Sequence, residues 1–122
     1  MQTYRVGVDI VEIQRIAQVV DRWGPRFLDR IYTDAELDFC GGRVRELAVR
    51  FAGKEAVMKA LGTGTRGVSW RDIEILADRR GAPVVFLRRR ARRRARRLKI
   101  GNLAISLSHS RHYAVASVVG GP

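Results

Sequence analysis

Four charged residues stand where the surrounding sequence makes charge expensive. From Arg43 to Leu61 the chain reads as one long helix, apolar around most of its circumference. Leu47, Phe51, Met58 and Leu61 fall on one face at 3.6-residue periodicity, and Ala48, Val49, Ala52, Ala56, Val57 and Ala60 fill much of the rest. Such a helix is buried, yet its second half carries Lys54, Glu55 and Lys59. Lys54 points into the Leu47–Phe51–Met58 face, while Glu55 and Lys59 share an adjoining one. Buried charge is costly unless it is paired or bound to a metal. Glu55 and Lys59, at i and i+4, can pair with each other, which leaves Lys54 without a partner. Asp9, between Val8 and Ile10, poses the same problem in a β-branched run and reads either as a strand-end residue or as a ligand. If the helix packs on that strand, Asp9 and Glu55 become a carboxylate pair. With phosphate oxygens and water such a pair suits magnesium, and lysines beside it suit the phosphates.

The elements that must position these residues follow from pattern. Residues 4–11 predict a strand, and Ile13, Ile16, Ala17 and Val20 predict an amphipathic helix ended by Gly24-Pro25. A short helical piece covers Arg26 to Ile31, and Thr33-Asp-Ala-Glu36 is a capping box that opens another helix, stopped by Gly41-Gly42. After the long helix come Gly62-Thr-Gly64 and a loop, then a hairpin of Asp72–Ala77 and Val84–Leu87. The arginine run reads as a helix on a Leu87–Ala91–Leu98 stripe, broken by Gly101-Asn102, and Leu103–Ser108 and His112–Val119 are two further strands. The sum is an α+β fold, a largely antiparallel sheet packed on a long central helix, in one domain over residues 1–122.

Composition narrows the function classes. With 46% apolar residues in a 13.8 kDa chain, the core is modest and leaves little room for a deep enclosed cleft. A dinucleotide-sized substrate would lie across the surface or in a groove completed by another subunit. Cys40 is the single cysteine, so neither an intrachain disulfide nor a cysteine metal site forms. No apolar run reaches the ~20 residues that span a bilayer, and Asp9 and Glu12 make Met1–Ile13 wrong for a secretory signal. The expectation is a soluble cytoplasmic protein. The net charge of +12 rests largely on eight arginines from Arg88 to Arg97, without which the remainder is +4. That run reads as a solvated helix face or as a nucleic-acid-binding surface. The second reading, a basic nucleic-acid module, leaves Asp9, Glu55 and Lys59 unexplained and comes with no aromatic stacking platform.

Three stretches in this order and spacing carry a resemblance. Gly7-Val-Asp9-Ile-Val-Glu-Ile-Gln-Arg15-Ile, Arg50-Phe-Ala-Gly-Lys54-Glu55-Ala-Val-Met-Lys59-Ala-Leu-Gly62-Thr-Gly64 and Ile105-Ser-Leu-Ser108-His109-Ser110 together resemble the holo-[acyl-carrier-protein] synthase family. The resemblance runs from about Tyr4 to Val119. It implies transfer of 4'-phosphopantetheine from coenzyme A to a serine of apo acyl carrier protein, for fatty acid or polyketide synthesis, with release of 3',5'-ADP. It implies that Asp9 and Glu55 hold magnesium, that Lys59 neutralises phosphate charge with Lys54 as helper, and that His109 and Ser110 contact the coenzyme. Arg15, Arg22 and Arg26 would face the acidic carrier protein, and the chains would form homotrimers with sites at subunit interfaces. On residues alone, those arginines are equally a solvated helix face and His109 a core histidine. The base that takes the serine proton is left between Glu55, through water, and His109. Two positions depart from the family's usual residues: Gly53 where alanine is usual, expected to have a local packing effect, and Ser110 where threonine is usual.

Overall fold

The structure, a computed structural model, describes residues 3–122; Met1 and Gln2, the first residues of the predicted 1–122 unit, lie outside the described residues. Strand β1 (Arg5–Glu12) runs directly into α1 (Ile13–Trp23), and three helices follow, α2 (Pro25–Ile31), α3 (Asp34–Cys40) and α4 (Val44–Leu61). A single turn α5 (Gly64–Gly67) and a 3₁₀ turn (Trp70–Asp72) lie where the sequence predicts only a loop. The hairpin β2 (Ile73–Ala77) and β3 (Pro83–Leu87), the arginine helix α6 (Arg89–Arg97), and strands β4 (Asn102–His109) and β5 (Tyr113–Gly121) complete the chain.

The strands form two antiparallel sheets, β1-β5-β4 and β2-β3. β4 is joined to β5 by the short turn at Ser110, and β3 packs beside β4 without backbone pairing. Helix α4 lies across the inner face of the three-stranded sheet. Room for it comes from small residues. Ala114 and Ala116 of β5 are fully buried beneath it, and a Cβ at Gly7 of β1 would stand 1.8 Å from the Ala56 carbonyl oxygen. Since Asp9 follows Gly7 on the same inner face, and Glu55 precedes Ala56, this backbone contact brings the two carboxylates together. Gly62, at φ +70°, ends α4 in the left-handed conformation that glycine adopts without strain.

The core has two parts. One gathers Ile13, Ile16, Ile31, Tyr32, Leu47 and their neighbours around the first half of α4. The other gathers Ala56, Leu61, Ile73, Ile75, Ala91 and Val118 around its second half. Gly53 has a steric reason: a Cβ there would meet Ile75 Cδ1 at 2.6 Å. No helix of the described residues is long and apolar enough to cross a membrane.

Candidate active site

The capping box at the start of α3 forms as predicted, with Thr33 Oγ1 accepting from the Glu36 N–H and Glu36 Oε1 accepting from the Thr33 N–H at 2.8 Å. The same Glu36 has a second duty. Its carboxylate is fully buried, accepts the Ile75 N–H at 2.8 Å and meets Lys54 Nζ at 2.6 Å. Lys54 Nζ also donates to the carbonyls of Ile31, Trp70 and Ile73 at 2.8, 3.1 and 2.7 Å. Four oxygens thus surround an ammonium that has three N–H bonds to give. Burial lowers its proton affinity and Glu36 restores part of it. This corrects the expectation that Lys54 helps bind phosphate. With no exposed surface and every donor engaged, it ties α4 to α2, α3 and β2. The alternative of a structural pair between Glu55 and Lys59 is not formed; the buried ion pair of α4 is Lys54 with Glu36.

Lys59, the other lysine of α4, is about half exposed and bends toward β1. Its Nζ donates to the Val8 carbonyl at 2.9 Å and to Asp9 Oδ1 at 3.2 Å. The Asp9 carboxylate is mostly buried, and Glu55 is half-buried beside it. Burial raises the proton affinity of Glu55, and the neighbouring Asp9 carboxylate raises it further by charge and by hydrogen bonding; Lys59 and Arg15 oppose the rise. Two carboxylates therefore stand beside one lysine that bonds only Asp9, with Arg15 on the wall of the same cleft. Its ligand set is two hard oxygen donors. Among the described residues no three side chains of the His, Cys, Asp or Glu type cluster as a ready metal cage.

Asp9 and Glu55 open into a cleft of ≈ 370 Å³, whose wall includes Arg15, Val19, Phe27 and Phe51. Val19 and Phe27 also line a second, larger groove of ≈ 510 Å³ with Trp23, Arg26 and Arg30, so the two hollows share a wall. The predicted basic row thus divides. Arg15 faces the carboxylates, whereas the guanidinium groups of Arg22 and Arg26 lie over the half-exposed Trp23 ring at 5.2 and 5.9 Å. Trp23 was not singled out in the sequence. The signal for it is an aromatic residue at an amphipathic helix end, between basic residues and just before Gly24-Pro25.

His109 and Ser110 are not brought to this cleft within one chain. His109 ends β4, the edge of the sheet opposite β1, and Ser110 follows it in the turn. His109 is exposed, not a core histidine, and lines two hollows with Arg43, Arg45, Glu46 and Arg50, near the first turns of α4. Ser110 Oγ accepts the N–H groups of Tyr113 and His112 at 3.2 and 3.4 Å, which shapes the turn between β4 and β5. Its O–H proton stays available to a further acceptor.

The comparisons with known proteins agree with one another. The family model of the 4'-phosphopantetheinyl transferase superfamily matches residues 5–117. A holo-[acyl-carrier-protein] synthase of Herpetosiphon aurantiacus is 46% identical over 121 residues, covering 93% of this chain and 95% of the relative. One from Moorella thermoacetica is 50% identical over 113 residues, covering 90% and 88%. The crystal structure of the Helicobacter pylori holo-[acyl-carrier-protein] synthase in complex with coenzyme A superposes with a TM-score of 0.86 at 34% identity, covering 94% of this chain and 98% of that one. With this fold, this carboxylate cleft and relatives matched over nearly their whole length, the chain belongs to the holo-[acyl-carrier-protein] synthase family of the 4'-phosphopantetheinyl transferase superfamily.

Proposed function

We propose that the chain transfers 4'-phosphopantetheine from coenzyme A to a serine hydroxyl of an apo acyl carrier protein, as a holo-[acyl-carrier-protein] synthase of the cytoplasm. The observation that carries this reading is the cleft in which Asp9 and Glu55 meet with Lys59 bonded to Asp9. Phosphoryl transfer needs positioning and charge neutralisation more than covalent help from the protein. The serine oxygen bonds to the β-phosphorus of coenzyme A, the bond from that phosphorus to the 3',5'-ADP oxygen breaks, and the serine proton passes to a base. Of the two candidate bases, Glu55 lines the cleft of its own chain and acts through a water, whereas His109 reaches such a cleft only from a neighbouring copy. Lys59 Nζ, held by Asp9 and Val8 yet half exposed, is suited to offset charge on the departing phosphate. Asp9 and Glu55 fit magnesium, since they are adjacent hard-oxygen donors whose mutual repulsion a cation relieves. When bound, magnesium withdraws charge from the pyrophosphate.

The carrier protein docks along the groove of Val19, Trp23, Arg26, Phe27 and Arg30, with Arg15, Arg22 and Arg26 facing its acidic surface. The wall shared with the carboxylate cleft supports this, because a serine at the end of a docked helix then reaches Glu55. Homotrimers are supported by the outer face of the three-stranded sheet, where Tyr4, Val6, Val8 and Ile10 are each more than half exposed and Val119 and Tyr113 lie on the neighbouring strand. In such an assembly His109 and Ser110 of one copy, with Arg43 and Arg45, serve the coenzyme bound at the next copy's cleft.

Incubation with apo carrier protein, coenzyme A and magnesium, followed by intact mass of the carrier, tests the reading. A phosphopantetheine adduct that disappears on chelation of the metal is expected. Absence of the adduct with several carriers would overturn the assignment. Light scattering checks the assembly: three chains per particle for the natural sequence and fewer for Val8→Glu, whereas a monomer of the natural sequence would refute the trimer.

A further inference from the structure

Helix α6 takes no part in the carboxylate cleft, and its sequence, RRARRRARR, works against its own stability. The first turn has no acidic residue to meet the positive end of the helix dipole and begins instead with Arg89 and Arg90. Arg89 with Arg93, Arg92 with Arg96, and Arg93 with Arg97 are like charges at i, i+4, which destabilise an exposed helix. Arg89 also sits at φ +49°, a left-handed conformation uncommon for a long side chain. What holds the helix is the burial of Ala91 and Ala95 and the bond from Arg94 Nε to the Leu61 carbonyl at 2.9 Å. Arg88, just before it, bonds Glu74 at 2.6 Å.

The remaining six arginines follow one another around the axis in the order Arg92, Arg96, Arg89, Arg93, Arg97, Arg90, over a continuous arc of roughly 160° opposite the two alanines. All six are exposed, and none has an acidic partner among the described residues. A merely solvated face is better served by mixed signs. The composition of the arc selects its ligand. A protein partner engages through apolar or aromatic anchors, and the arc has none. A bilayer takes up a surface helix by its apolar side, and the only apolar residues of α6 are already buried in the core. A row of closely spaced phosphates remains, each of which accepts a guanidinium fork through two oxygens.

We propose that α6 is a binding surface for the phosphate backbone of nucleic acid, read without base specificity and separate from the transfer site. Phosphates along the arc would also relieve the repulsion built into the helix. The inference does not depend on the transfer reading, because none of its residues lines the carboxylate cleft or the groove beside it.

Fluorescence anisotropy with the full chain and a labelled oligouridylate of about 20 nucleotides, between about 50 and 200 mM salt, tests it. For six phosphates on a single strand, the logarithm of the binding constant should fall against that of salt with a slope of about −4. Replacing three of the arginines (Arg89→Gln, Arg93→Gln, Arg97→Gln) should bring the slope to about −2 and weaken binding at least ~10-fold at the lower salt. The same variant should keep the natural rate of transfer to carrier protein and unfold at an unchanged or higher temperature, since it loses like-charge contacts. No binding at about 50 mM salt, or equal affinity in the triple variant, would overturn the proposal. So would competition by polyglutamate, or by phosphatidylglycerol vesicles, as effective as that of unlabelled oligouridylate.

Discussion

Little more than one helical turn separates Lys54 from Lys59 on α4, and the two lysines meet carboxylates in opposite ways. Lys54 is sealed from solvent with Glu36 and three carbonyl oxygens, and the Glu36 oxygens are in turn bonded to two backbone N–H groups. Every donor and acceptor there has a partner, so the cluster has nothing left to offer a ligand. Lys59 is half exposed and bonded to only one of two neighbouring carboxylates, which themselves line an open cleft. Closure makes the first cluster a fastening between helices. The second stays open, because its own residues do not engage all of its donors and acceptors. Residue type and helix position hardly distinguish the two; the completeness of the surrounding shell does.

The sharpest way to break the comparison is to neutralise the unsatisfied cluster. Glu55 holds its proton more tightly in the folded state than in an unfolded chain, so its ionised form costs stability above that raised pKa, and the cost fades as pH falls through it. Glu55→Gln removes the cost at neutral pH. In magnesium-free buffer its Tm should rise, while carrier modification should drop by about 10³-fold or more at any magnesium concentration. Near-normal turnover would remove Glu55 from the chemistry.

The satisfied cluster should respond the other way. Lys54→Met leaves a buried carboxylate and three carbonyls without their donor, at a cost of about 3–5 kcal/mol in urea unfolding. Adding Glu36→Gln should recover part of that loss by removing the stranded charge. Turnover per folded molecule should change little; lost turnover with full stability would mean that Lys54 acts in the reaction. The smallest effect is expected at Gly53, the residue before Lys54. Gly53→Ala gains helix propensity of ~1 kcal/mol, but its Cβ would stand 2.6 Å from Ile75 Cδ1, 3.2 Å from Leu107 Cδ2 and 3.3 Å from Ile105 Cδ1, which opposes the gain. A net change within about 1 kcal/mol of zero is expected. A loss well beyond that would mean the buried face has no slack around its ion pair.

Much of the fold was legible because its elements announce themselves locally, from the all-round apolar α4 to the capping box at Thr33 and Glu36. The carboxylate pair was legible for a related reason, since Asp9 and Glu55 interrupt apolar runs. The partner of Lys54 was not. Glu36 already had a local explanation as a capping residue, and its second bond reaches across to another helix. The separation of the strands into two sheets was equally hidden, because whether the free edge of β4 also pairs with β3 is decided by non-local contacts. The groove at Trp23 escaped notice because its wall comes from two helices that meet at an angle set by Gly24-Pro25. The resemblance gives His109 a coenzyme contact without its place in the chain's own fold, which the sheet order sets at the edge far from β1.

Gly7 has a further consequence, one of tolerance. The strand bearing Asp9 and the helix bearing Glu55 touch at a point where a single methyl group would overlap the Ala56 carbonyl oxygen. The absent side chain at position 7 therefore works as a gauge that sets the gap between the carboxylates two residues along. An added carbon there would act as a shim, prising β1 from α4 at its centre while leaving the strand ends free to pair. The spacing of the acidic pair is thus calibrated by a residue that touches neither.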